Sequence, residues 1–333
     1  TCNKPNGWQR GVTDRELEAL NKPIDNYDMI LAITIPAFSK QLLNENKPIL
    51  QYIVWEGDKI PASWINILLD DRIKYILVPS EHTKKAILKS GHECYDSEDG
   101  LPWNIKDKIK IVPHGVDTKL FYPTNDKNKE FTFLIDKGWR YGSFDRGGIS
   151  FLIKAFCEEF NTNNNVKLLV KVNGAYGFDE GMFNRFMSEL HITNKNPPKV
   201  DLVPYNVPYD KLNEIYNKAH VFCIPSMAES FHIGGLQALA CGLPVIFNNF
   251  GGQTDYCNDK VGWELKEGKM IKVTWDLLYE GISWKVPNTD ELRKRLRYIY
   301  EHQDEVHSKH DDCINQAKKF SWLNSARLIK DLL

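Results

Sequence analysis

Short runs dense in β-branched and aromatic residues recur at residues 27–34, 49–55, 73–79 and 109–114, separated by stretches whose apolar positions return every three or four residues. A period near 3.6 marks a helix with one buried face, and short apolar runs between such helices mark buried strands. The alternation predicts βαβ units and parallel sheets, an α/β fold. After the polar stretch 124–130 a second series of strands is predicted at 131–135, 166–172, 200–203, 220–224 and 244–247. The pattern therefore divides the chain into a first unit over 1–125, a second over 126–310 and a closing helical segment over 311–333. The first unit opens on a loop-like stretch, Pro5-Asn6-Gly7-Trp8, where a doubly wound unit normally opens on a strand, so its first strand is expected to be missing or very short.

The helix predicted over 149–160 is the clearest, with Ile149, Leu152, Ile153, Phe156 and Phe160 on one face. Thr13 with Glu16 and Asn288 with Glu291 have the spacing of capping boxes. Composition narrows the function classes. The 333 residues are 42% hydrophobic and carry 43 Lys and Arg against 44 Asp and Glu, so the basic footprint that nucleic-acid binding needs is absent. The seven cysteines (2, 94, 157, 223, 241, 257 and 313) include no C-x-x-C pair, which reads as free thiols in a reducing compartment. No apolar run approaches the length of a spanning helix, and residues 1–10 lack the apolar stretch of a signal peptide. A cytoplasmic protein is expected, with peripheral membrane association through its substrate left open.

The densest chemical signal is residues 224–246, I-P-S-M-A-E-S-F-H-I-G-G-L-Q-A-L-A-C-G-L-P-V-I. It reads as a strand end, a turn, an acidic residue (Glu229), and a helix whose first turn contains Gly234 and Gly235. Unpaired N–H groups and positive dipole at a helix start attract anions, and glycines let a phosphate approach the backbone. Gln237 follows Glu229 by about two helical turns, so the two could flank one ligand. A second cluster, D-K-G-W-R-Y-G-S-F-D-R-G-G over 136–148, places Arg140 and Arg146 in a glycine-rich loop between a strand and a helix, a place suited to pyrophosphate. Taken singly, Glu229 reads better as a helix N-terminal acid satisfying the dipole, while the glycines on either side of the arginines favour a phosphate loop over a solvated one with surface ion pairs.

Residues 225–245 resemble the signature of the retaining glycosyltransferases of family 4, P-S-x-x-E-x-F-G followed by a second Glu and A-x-A-x-G-x-P-V. Two positions depart from it: Gln237 stands for the second Glu and His232 for the usual Gly. The 136–148 cluster resembles the family's G-R-x-x-x-x-K-G element, with Arg140 in the Arg role and Arg146 in place of Lys. V-P-H-G-V-D at 112–117, N-F-G-G-Q-T-D at 249–255, and Ser321-Trp322 opening a last helix with Ala326, Ile329 and Leu333 on one face resemble further family segments. The resemblance implies a GT-B architecture, two Rossmann-like units facing a cleft, with that last helix crossing back to the first unit.

It also implies a UDP-, GDP- or ADP-linked sugar donor, retention of configuration, and a glycan, lipid-linked or small-molecule acceptor. By the same resemblance Glu229, Arg140 and Arg146 form the catalytic set, and Gly138, Val203, Phe231, His232, Ile233, Gly234, Gly235 and Gln237 contact the donor. Gln in place of Glu keeps one acceptor for a ribose hydroxyl but loses charge assistance. The first unit is expected to contribute the acceptor wall through Gly7 and Trp8 at the chain start and through Glu56, Ser80 and His114, near C-terminal ends of predicted strands where open α/β sheets bind ligands. No D-x-D triplet occurs, which agrees with a metal-independent reaction and no cofactor. Two rivals remain, a catalytically silent nucleotide-sugar-binding or scaffold subunit and an epimerase or phosphorylase of the same fold.

Overall fold

The structure is a computed structural model and describes residues 27–95, 104–139, 145–173 and 179–333. Gly7, Trp8, the Thr13–Glu16 spacing and Arg140 lie outside the described residues. Strands β1 (Ile30–Ile33), β2 (Ile49–Tyr52), β3 (Ile73–Val78) and β4 (Ile109–Ile111) form one parallel sheet in the order β1-β2-β3-β4. Ile49, Ile73, Ile76 and Val78 pack on one face with Trp55 and Trp64, while Leu50, Tyr52, Leu77 and Val112 pack on the other.

The second sheet contains β5 (Phe131–Lys137), β6 (Val166–Val172), β7 (Val200–Val203), β8 (Val221–Ile224), β9 (Val245–Asn248) and β10 (Gly262–Leu265). All pairs are parallel and the order is β10-β9-β8-β5-β6-β7. The chain runs outward from β5 through β6 to β7, then returns to lay β8 against the other side of β5. That reversal makes the β5–β8 boundary the switch point, where crossover loops diverge and leave a crevice beyond the strand ends. Alternate residues of β5 feed two cores: Phe131, Phe133 and Ile135 on one face, Leu134 on the other.

Strand β5 runs two residues beyond the expected 131–135, because Asp136 and Lys137 keep register with Lys171 and Val172 of β6. The helix expected over 149–160 spans Ile149–Glu159, and its five stripe residues are fully buried. Gly148, at φ 77°, admits the chain into that helix; a Cβ there would lie 2.3 Å from the Pro225 carbonyl oxygen. Asn288 caps the Thr289–Glu301 helix through the N–H groups of Asp290 and Glu291. Its partner Glu291 turns outward to accept from the N–H groups of Lys266 and Glu267, so the box is half formed.

Two features differ from expectation. Residues 268–287 form an antiparallel hairpin, β11 (Gly268–Lys272) and β12 (Ser283–Pro287), where no element was predicted. The last helix, Trp322–Lys330, does pack back on the first sheet, but through Ile329 and Leu332, with Ser325 buried beside them; Ala326 and Leu333, expected on that face, are exposed. Among the described residues no helix is long and apolar enough to cross a membrane.

Candidate active site

Parallel strands present their C-terminal ends to the same side, and the switch point gathers charge there. Lys137, the last residue of β5, forms an ion pair with Glu229, which follows β8. Glu229 is only 5% exposed. Burial would push its carboxyl up, but Lys137, with His232 and Arg146 beside it, outweighs that and holds it at about 2, so it is ionised at neutral pH.

The loop bearing Arg146 is locked to the Glu229 loop: the Met227 N–H donates to the Arg146 carbonyl at 2.8 Å, and the Ser226 hydroxyl to that of Gly147 at 3.2 Å. Asp145 caps the following helix through the N–H groups of Ile149 and Ser150, which fixes the residue before Arg146. The Arg146 guanidinium pairs with Glu56 of the first sheet's side. Burial opposes its charge, and Glu56 and Glu229 more than restore it.

His232 occupies the N-cap of the Ile233–Ala240 helix in a left-handed conformation, φ 68°. Its Nδ1 accepts from the Gly235 N–H at 2.9 Å, which leaves the ring proton on Nε2. Burial lowers its pKa to about 4, so the imidazole is neutral at pH 7. Gly234 and Gly235 are both crowded; a Cβ on Gly235 would lie 2.5 Å from Ile224 and from the Tyr256 hydroxyl. Phe231, expected at the donor, has its ring wholly inside the core against Tyr256 and Phe320, so only its backbone could meet a ligand.

Gln237 is buried with both ends of its amide engaged. Its Oε1 accepts from the Tyr216 hydroxyl at 3.3 Å and its Nε2 donates to the Tyr209 hydroxyl at 3.0 Å. Tyr216 also lies 3.1 Å from Asp136, which pairs with Lys171 at 3.4 Å. Burial pushes the Asp136 carboxyl up against the pull of Lys171. Val203 closes β7, and Gly138 follows Lys137; both are half-buried.

From the first sheet, the Ser80 hydroxyl donates to the Ser230 carbonyl at 2.7 Å, the Glu81 N–H donates to Asp255 at 2.8 Å, and the His82 ring meets Phe250 edge-on at 4.9 Å. Gly252 makes this closeness possible: a Cβ would lie 1.8 Å from the Ser230 oxygen. His114 lies apart from these groups, between Tyr52, Phe231 and Trp322. Its buried Nδ1 has no hydrogen-bond partner among the described residues, and burial lowers its pKa to about 4. The structure thus gathers Glu229, Arg146, His232 and Glu56 at one place and sets His114 in an aromatic stack. Sequence reasoning passed over Lys137, Tyr209, Tyr216 and Tyr279. Lys137 had a readable signal, a cation at the end of a parallel strand next to Gly138.

A two-lobed α/β molecule with a charged crevice at the switch point of its second sheet defines the class, and the comparisons give the family. The profile of the family described as Glycosyl transferases group 1 matches residues 143–320, and the chain belongs to that family. A D-inositol 3-phosphate glycosyltransferase of Segniliparus rotundus is 28% identical over 152 residues, covering 44% of this chain and 32% of the relative. The chain spans 32–42% of the length of the first curated relatives it matches. The sucrose-phosphate synthase structure from Thermosynechococcus elongatus superposes with a TM-score of 0.68 at 17% identity, covering 96% of this chain and 75% of that one. The Anabaena protein HepE, solved in complex with UDP-glucose, gives 0.65 at 14% identity over 92% of this chain and 78% of its own. The fold is GT-B.

Proposed function

We propose that this protein is a retaining glycosyltransferase that moves a hexosyl group from a nucleotide-sugar donor to a glycan, lipid-linked or small-molecule acceptor, without a metal ion. The observation that carries the reading is the buried, ionised Glu229 paired with Lys137 beside the Gly234–Gly235 helix start, with Arg146 locked to the same loop. A diphosphate would lie against Lys137, Arg146 and the helix N-terminus, where fixed positive charge stabilises it as it departs. Glu229 would accept from sugar hydroxyls and orient the anomeric carbon. The acceptor hydroxyl attacks from the face the diphosphate leaves; its oxygen bonds to the anomeric carbon, the bond to the phosphate oxygen breaks, and that oxygen takes the acceptor proton. Positioning and leaving-group stabilisation account for most of the rate in such a scheme. The wall near Glu56 would face the acceptor, whereas Ser80, expected there, is fully buried with its hydroxyl on the Ser230 carbonyl. That HepE was solved with UDP-glucose supports a nucleotide-sugar donor for this fold.

A thermal-shift panel of UDP-, GDP- and ADP-linked sugars tests the reading, since a ligand of the folded state raises its melting temperature. One donor class is expected to raise it by several degrees, and no shift with any donor overturns the proposal. A binding subunit without turnover is the second reading, favoured by both ends of the Gln237 amide being engaged by Tyr209 and Tyr216. It predicts binding with no release of nucleoside diphosphate over any acceptor panel.

A further inference from the structure

The β11–β12 hairpin joins the two sheets. At the connection end of its ladder, Trp284 and Val273 share a buried cluster with Met227 and Ala228 of the Glu229 loop. Its tip enters the first sheet's core through Ile282, which lies so close to Gly57 that a Cβ there would be 2.2 Å from the isoleucine side chain. The Ser283 N–H donates to Asp58 at 2.6 Å, and the Tyr279 ring stacks on Trp55 at 4.7 Å. The Tyr279 hydroxyl then donates to Glu56 Oε2 at 2.8 Å, while Glu56 Oε1 pairs with Arg146 Nη1. Nη1 also lies 3.4 Å from the Tyr279 oxygen.

We infer that Tyr279 is a positioning residue for the donor site, holding the Glu56–Arg146 pair in one orientation across the gap between the sheets. A carboxylate that receives one bond from Arg146 alone can swing about that contact; a second donor on its other oxygen fixes its plane, and with it the guanidinium. Both contacts described for Arg146 fall on Nη1, and a guanidinium carries five N–H donors, so a diphosphate has further donors to meet at an already ordered group. Ordering that group before the ligand arrives removes an entropic cost of binding. The hydroxyl of Tyr279 therefore acts on donor affinity through Glu56, without touching the donor.

This rests on the placing of the diphosphate at Arg146, and the test separates the two. Calorimetry with UDP, GDP and ADP identifies the nucleotide that the wild-type protein binds most tightly, and that one serves as probe. Tyr279→Phe keeps the stack on Trp55 and is expected to weaken the probe about five- to tenfold, within the range for losing one hydrogen bond of ordinary net strength. In a Glu56→Gln background the same substitution should change affinity less than twofold, a non-additivity that a purely structural strap would not produce. Wild-type affinity in Tyr279→Phe, or an undiminished loss in the Glu56→Gln background, overturns the inference alone, provided Arg146→Ala abolishes binding. If Arg146→Ala binds like wild type, or the wild-type protein binds none of the three, the donor reading falls and this inference with it.

Discussion

Lys137 and Glu229, 92 residues apart in sequence, meet as an ion pair where β5 and β8 end side by side at the reversal of the second sheet. The pair leaves a carboxylate ionised inside the protein, beside a helix start able to receive an anion. Its energetics give the first expectation.

The folded protein holds Glu229 at about 2 against an ordinary 4.5, so the pair stabilises the fold fully above about pH 4.5 and loses that contribution as the pH falls toward 2. Lys137→Met leaves the carboxylate buried without its partner and should cost about 3 kcal/mol at pH 7. The deficit should shrink at pH 4, where the unpaired carboxyl binds a proton. Urea melts at the two pH values measure this; an equal deficit at both would detach Lys137 from the titration of Glu229.

Glu229→Gln separates orientation of the sugar from affinity for the nucleotide. Transfer should fall about a hundredfold or more, as for the loss of a group acting in the transition state. Affinity for a nucleoside diphosphate should hold or tighten slightly, because Lys137 is released to meet phosphate. Single-turnover transfer beside calorimetry reads both; loss of nucleotide affinity in step with activity would make Glu229 a support of the phosphate loop.

From sequence, Gln237→Glu is expected to tighten donor binding by about 1 kcal/mol through charge assistance. The hydrogen bonds now seen point elsewhere. A carboxylate could keep Tyr209 only by having its hydroxyl turn to donate, and it would set a second buried negative charge on the Tyr216 hydroxyl that Asp136 already shares. The variant should lose about 1–2 kcal/mol of stability at pH 7, with donor affinity flat or reduced. Denaturant melts and calorimetry on one preparation decide between the two expectations.

Gly148→Ala tests the joint between the Arg146 loop and β8. At φ 77° with a Cβ 2.3 Å from the Pro225 oxygen, the substitution should cost about 2–3 kcal/mol, part backbone strain and part overlap. Guanidinium melts check it; a loss under 0.5 kcal/mol would mean that the loop shifts freely.

What the sequence disclosed depended on whether local pattern and tertiary role coincide. The 149–159 helix was legible because its burial repeats every turn. The end of β5 was misjudged because Asp136 and Lys137 are charged, and charge ordinarily ends a buried strand; at a switch point the strand ends on its functional groups instead. The β11–β12 hairpin was missed because G-K-M-I-K has little apolar alternation, and its pairing is with a segment eleven residues on. Glu229 and Arg146 stood out through spacing and flanking glycine. Tyr216 and Tyr279 had no such marker, since a tyrosine in an apolar run is indistinguishable from core until its hydroxyl is seen to reach a carboxylate.

His232 holds a backbone conformation that costs an L-residue roughly 1 kcal/mol and that glycine adopts freely. The family's usual glycine at this place is thus the undemanding occupant, and a histidine persists only where its ring returns something, here a cap on Gly235 and a proton on Nε2. Members of the family could exchange the two residues without remodelling the helix. The position is a slot whose backbone accepts either glycine or a capping side chain, so the helix start can be reinforced by one residue without a change of path.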